Sequence, residues 1–145
     1  MQIQKVFGYI ICQHEGRPQL LAFTSSDGPG FEIIRGHVEL GESVDTAILR
    51  EIEEESGLID VRITKQMKVA YWENEEQTFF LCEAPGQYPA TFSHVVTGAG
   101  GDEGVTFDFR WLELSEVLHT ELLFGGDRLV TELLAHFGQK GATHL

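Results

Sequence analysis

Residues 36 to 58 read Gly36-His37-Val38-Glu39-Leu40-Gly41-Glu42-Ser43-Val44-Asp45-Thr46-Ala47-Ile48-Leu49-Arg50-Glu51-Ile52-Glu53-Glu54-Glu55-Ser56-Gly57-Leu58, with six glutamates and one arginine in 23 residues. Ser43 suits an N-cap, Asp45 suits a first helical turn, and Gly57 can close a helix in the left-handed conformation. A helix is therefore expected from about Val44 to Ser56. Successive helix residues turn by about 100°, which puts Val44, Ala47, Ile48 and Ile52 on one core-facing arc. Glu51 and Glu55 fall inside that arc, Glu54 lies beside it, and Glu53 lies on the far side.

Ionised carboxylates on an inward face are costly unless something positive meets them. Glu51, Glu54 and Glu55 also share a face and repel one another. Hard divalent cations such as Mg²⁺ or Mn²⁺ take oxygen ligands of this kind. The plainer reading is a helix at the domain edge with all its acids in water. The flanking residues weigh against that reading. Gly36, Gly41 and Gly57 frame a turn, a helix and a second turn, and the Gly36 carbonyl can approach a cation. Arg50 can pair with Glu42 or hold Glu51, and either contact would support a shell of ligands.

Outward from this stretch, Val6–Cys12 and Gln19–Thr24 read as a hairpin around a turn at residues 15–18. Residues 25–30 read as a loop, and Phe31–Ile34 as a short strand leading to Gly36. Asp60–Trp72, with room for a bulge, and Gln77–Glu83 read as strands joined by a turn at residues 74–76. Thr91–Thr97 and Val105–Leu112 are further strands, Leu114–Leu118 is a helical turn, and residues 138–145 are a loose tail. Apolar residues at 129, 130, 133, 134 and 137 predict a helix over Gly126–Phe137. Strands surround two helices without regular alternation, which argues for an α+β fold on a mixed sheet.

The chain has 145 residues, the size of one domain. No apolar run is long enough to span a membrane and no leader pattern is present, so a membrane partner is not expected. Cys12 and Cys82 lie in apolar strand-like runs and read as buried free thiols, which fits a cytoplasmic home. The net charge of −13 disfavours nucleic-acid polymers as partners and makes divalent cations necessary for any polyphosphate ligand. Pairing into a homodimer is left open.

Gly36, Glu42, Arg50, Glu51, Ile52, Glu54, Glu55, Gly57 and Leu58 fill every fixed place of the Nudix box. The chain resembles the Nudix hydrolases, and Phe109–Leu114 is similar to a strand leading to a short helix late in that family. The resemblance implies an α/β/α sandwich over residues 1–145, with a loop-helix-loop metal site. It implies a hydrolase in which water attacks the phosphoanhydride of a nucleoside diphosphate linked to another group. Mg²⁺ or Mn²⁺ would be the cofactor. Carried over by position, Glu51, Glu54 and Glu55 are metal ligands or, for one of them, the base. The Gly36 carbonyl is a further ligand, Arg50 orients Glu51, and Glu42 is structural or binds metal through water.

The resemblance also implies a base or an extra metal ligand from a loop outside the box, expected from Asp102 or Glu103, with Glu103 preferred. Arg35 and Glu39 are candidates for substrate contact, and Glu39 also for the metal shell. His94 reads as structural, His37 as a residue beside the site. The Gly98–Gly101 stretch reads as a mobile loop, since it lacks the ending of a P-loop. Phe7, Tyr9, Phe23, Phe31 and Tyr71 read mainly as core, with no single base-stacking ring singled out. The marks that would point to ADP-ribose or diadenosine polyphosphates are absent around Glu73–Glu76. A small (deoxy)nucleoside triphosphate is therefore the expected substrate. Dinucleoside polyphosphates, nucleotide sugars and a silent sensing module are the rivals; such a module usually loses box glutamates, and all are kept here.

Overall fold

A computed structural model describes residues 2–25, 30–98 and 100–138. Strand β1 (Ile3–His14) is central, and its residues Val6 to Cys12 are all buried. It runs parallel to β5 (Glu75–Glu83) along one edge. Its other edge is shared by two antiparallel partners. β3 (Ile34–His37) pairs with Lys5 to Gly8, and β2 (Arg17–Thr24) pairs with Ile11 to His14. β4 (Arg62–Trp72) flanks β5, while β7 (Thr106–Glu113) and β6 (Thr91–Val95) extend the sheet beyond β2.

Side chains alternate across a strand, so β1 feeds two cores at once. Val6 and Ile10 join Leu21, Ile34, Phe80 and Phe109 under helix α1 (Val44–Ser56). Phe7, Tyr9 and Ile11 join Leu20, Ile33, Phe79 and Leu81 beneath helix α2 (Val130–His136) and a 3₁₀ helix (Leu114–His119). The result is the expected α/β/α sandwich on a mixed sheet. Among the described residues no helix is long and apolar enough to cross a membrane.

Several boundaries move for physical reasons. The first turn needs only Glu15 and Gly16, both left-handed (φ 51° and 77°), so Arg17 and Pro18 already pair in β2. β3 starts at Ile34 rather than Phe31, because Phe31 and Glu32 make only isolated bridges to Leu122 and Phe23. The second turn falls at residues 73–74, so Glu75 and Glu76 belong to β5. β6 ends at Val95, and two residues on the Thr97 amide bonds to the Glu54 carbonyl of α1. The last helix starts at Val130, four residues later than its apolar spacing suggests, since residues 123–129 form turns. β4 carries two register shifts, as a bulged strand does. The loop and tail expected at residues 26–29 and 139–145 lie outside the described residues.

Cys12 and Cys82 are buried and free. Burial pushes their thiols up to about 11 and about 12, which removes them from nucleophilic chemistry at neutral pH.

Candidate metal and phosphate site

Helix α1 is held at both ends by its own sequence. The Ser43 hydroxyl accepts from the Thr46 amide at 3.1 Å, and Gly57 takes φ 80° while its amide bonds to the Glu53 carbonyl. Ala47, Ile48 and Ile52 are fully buried against the sheet, which fixes the helix rotation. That rotation turns Glu51, Glu54 and Glu55 toward β3 and the segment after β6. Glu55 is 7% exposed, whereas Glu53 points to water.

Arg50 is the hub. Its Nε donates to Glu42 Oε2 at 2.7 Å and its Nη2 to Glu42 Oε1 at 3.0 Å, a bidentate pair. Nη1 donates to Glu51 Oε1 at 2.9 Å and to Glu54 Oε1 at 3.0 Å. Nη2 also reaches the His37 carbonyl at 3.0 Å. One guanidinium thus ties the loop, the β3 end and the helix together. Both contacts left open by the sequence, to Glu42 and to Glu51, are made at once. The hydrogen bond from Arg50 holds the Glu42 carboxyl below the usual carboxylate range.

The acids that exceed Arg50's capacity behave differently. Burial raises the Glu54 carboxyl, and Arg50 only partly offsets this. Burial pushes Glu55 well above the carboxylate range, and a hydrogen bond to Glu51, together with the Glu51 charge, adds to the effect. An inward acid whose proton affinity is raised by burial and by a neighbouring carboxylate marks a place where positive charge is short.

Two glycines make room for these carboxylates. A Cβ on Gly36 would overlap the Glu51 carboxylate, and one on Gly98 would overlap that of Glu54. Gly98 is brought there by a bond from the Thr97 amide to the Glu54 carbonyl at 3.0 Å. The open cleft has a volume of about 270 Å³, and Arg35, Gly36, His37, Glu39, Asp102 and the acids of α1 line it.

The sequence-predicted residues thus converge, with one exception. Gly36, Arg35, Glu39, Arg50, Glu51, Glu54 and Glu55 share the cleft wall. Glu103 is exposed and is not on that wall; its neighbour Asp102 is. The turn that follows Gly100 presents the earlier acid to the cleft. His94 packs its ring against Gly57, consistent with a structural role. Thr97 and the steric role of Gly98 were missed. The only available signal was a glycine directly after a strand.

The donor set fits a hard divalent cation. It consists of carboxylate oxygens beside Gly36 on the cleft wall, with no thiolate or imidazole required. Among the described residues, no three acidic, His or Cys side chains are already gathered around one point to hold a metal. Arg50 hydrogen-bonds to Glu51 and Glu54 instead.

Residues 2–133 match the NUDIX domain. The chain belongs to this family, the Nudix hydrolases, whose enzymes generally use divalent metal ions. No curated protein matches it in sequence. Among solved structures it is similar to the MutT described from Aliivibrio salmonicida and Vibrio cholerae, at 23% identity and TM-score 0.66, over 94% of this chain and 100% of that one. It is also similar to a C. elegans Ap4A hydrolase binary complex (17% identity, TM-score 0.66, 92% and 98% covered). The NUDIX domain of Shewanella oneidensis NrtR, complexed with ADP ribose, is a third (17%, TM-score 0.63, 94% and 89%). At these identities the likeness is one of fold.

Proposed function

We propose that the chain hydrolyses a phosphoanhydride of a small nucleotide, with a (deoxy)nucleoside triphosphate as the leading substrate and Mg²⁺ or Mn²⁺ as cofactor. The observation that carries this reading is the convergence of Glu51, Glu54 and Glu55 on one cleft wall, where Gly36 and Gly98 leave room for the carboxylates of Glu51 and Glu54 and Arg50 bonds to both. Such a cluster gains from exchanging protons for a divalent ion.

Glu51, Glu54, Glu55 and the Gly36 carbonyl would hold the metal, which when bound neutralises the diphosphate and lowers the pKa of the attacking water. The protein's part is placement and proton handling. Arg50 fixes the directions of Glu51 and Glu54. Glu54, whose proton affinity is raised by burial, takes the proton of the attacking water. The new bond forms between water oxygen and phosphorus, and the bridging P–O bond breaks, with its electron pair leaving on the departing phosphate. Asp102, which lines the cleft where Glu103 does not, would assist from outside the box, and Arg35 and Glu39, on the same wall, would contact the substrate. Phosphoryl transfer needs little beyond positioning and charge stabilisation, and acids that hold a cation, with Arg35 and Arg50 beside them, would supply both.

The test is incubation with Mg²⁺ or Mn²⁺ and a panel of nucleoside triphosphates, dinucleoside polyphosphates, ADP-ribose and nucleotide sugars. Phosphate and pyrophosphate release are measured. Preferential pyrophosphate release from a triphosphate supports the leading substrate. Turnover confined to another class moves the substrate assignment there, and no turnover on any member would sink the reading.

A further inference from the structure

Phe124 stands in a place that folding energetics does not explain. Its φ is 55°, a left-handed conformation that a bulky side chain rarely adopts, and the residue is 62% exposed. A glycine would suit that backbone better, and a polar residue would suit that exposure. The turn is held firmly all the same. Tyr9 donates its hydroxyl to the Gly126 carbonyl at 2.6 Å, and the Leu123 amide bonds to the Phe31 carbonyl at 2.8 Å. Strain kept in a pinned segment beside a cleft points to a functional use.

The ring's cationic partner supplies that use. The guanidinium carbon of Arg35 lies 4.6 Å from the Phe124 ring centroid. Arg35 lines the acidic cleft. Unlike Arg50, whose donors are taken by Glu42, Glu51, Glu54 and the His37 carbonyl, Arg35 has spare capacity among the described residues. There its one ion pair is a 3.6 Å contact from Nη2 to Glu32, and its Nε is buried with no hydrogen-bond partner. A ring packed on one face of a guanidinium fixes its plane and leaves the in-plane N–H groups free to donate.

We propose that Phe124 is a positioning residue. Its ring orients Arg35 so that the guanidinium donates to the oxygens of an anhydride-linked phosphate in the cleft. The Phe124–Arg35 pair thereby sets how tightly the polyphosphate part of the substrate is held. The inference rests on the hydrolase reading above and names the group that reads the phosphate.

The experiment is a double-mutant cycle on the full chain, using inorganic pyrophosphate with Mg²⁺ as the calorimetric probe. F124A and R35A are each expected to weaken pyrophosphate binding about five- to tenfold, a range consistent with a partly desolvated cation–π contact. The double variant is expected to be no weaker than R35A alone, because the ring acts through the arginine. F124Y restores binding. F124G, whose backbone accepts positive φ, keeps the wild-type melting temperature and still binds weakly, which separates the effect from misfolding. On any hydrolysed nucleotide the change appears in KM, with kcat nearly constant. An independent readout needs no ligand: the Arg35 Nε–H resonance loses its ring-current shift in F124A and regains it in F124Y. Additive effects in the cycle, or an unmoved Arg35 resonance, overturn the proposal while the hydrolase reading stands. Wild-type protein that binds no magnesium pyrophosphate overturns both.

Discussion

The two helices cover opposite faces of one sheet, and they do so by opposite means. Helix α2 has seven residues and buries Val130, Leu133 and Leu134, with its acid, Glu132, turned outward. Helix α1 has 13 residues and buries Ala47, Ile48 and Ile52, but also Glu55, with Glu51 and Glu54 close behind. α2 closes a core. α1 gives up part of that closure to gather carboxylates around one arginine. Chemistry and stability should therefore separate along the sheet normal, and substitutions can test whether they do.

The largest effect is expected from Glu54→Gln. Loss of a proton-accepting, metal-binding oxygen should lower kcat about 10³-fold, while the fold changes by less than about 1 kcal/mol, because the amide keeps the shape. Turnover like that of the wild type would remove Glu54 from its assigned role. Leu133→Ala is the mirror experiment. Leu133 is 0% exposed, and its truncation should cost about 2–5 kcal/mol in urea unfolding. The activity per folded molecule should remain. A variant that stays stable but is inactive would show that the two layers are coupled.

The next effect is a dependence of stability on pH, and it belongs to α1. Glu55 has its pKa raised in the folded protein above the ordinary 4.5. The folded state thus holds its proton more tightly than the unfolded chain does. Its contribution is fully present below pH 4.5 and is lost as pH rises through the folded value. Glu54 acts in the same direction. Glu42 acts oppositely: its folded pKa is lowered, so its contribution is present above 4.5 and lost as pH falls through the lower folded value. In chelator the melting temperature should therefore decline as pH rises above 4.5. Added Mg²⁺ or Mn²⁺ should reverse that decline, since the ion binds the deprotonated acids. Glu55→Gln should flatten the chelator curve. A flat curve in the wild type would mean that Glu55 is not held protonated.

How much was legible follows from how local each cause is. The bounds of α1, its inward arc and the acids on it depend on residues within a few turns of one another, and Val44–Ser56 appears as read. The sandwich follows from strands that are apolar on both faces. The start of β3 depends on where β1, far away in sequence, offers its edge, so Phe31 looked like strand and is not. Glu103 and Asp102 are indistinguishable as letters; only the turn after Gly100 decides which faces the cleft. Phe124 carried no signal at all, because positive φ at a phenylalanine is imposed by anchors from Tyr9 and Phe31.

The smallest effects concern the helix ends, and they sharpen the same contrast. α1 is capped locally by Ser43; α2 has Leu129 at its N-cap position and no side-chain cap there. The missing acceptor comes from the sheet beneath, where the Tyr9 hydroxyl of β1 accepts from the Leu129 amide at 3.2 Å while donating to Gly126. Tyr9→Phe leaves a buried amide and a buried carbonyl without that partner, and should cost about 1–3 kcal/mol. Ser43→Ala removes an exposed cap and should cost about 1 kcal/mol. Hydrogen exchange distinguishes the two. Tyr9→Phe should speed exchange at Leu129 and in the first turn of α2 while leaving α1 unchanged, and Ser43→Ala should do the reverse at Thr46. Equal acceleration in both helices for either variant would mean that the layers open as one unit, and the separation between a sealing helix and a chemical one would then hold only for activity.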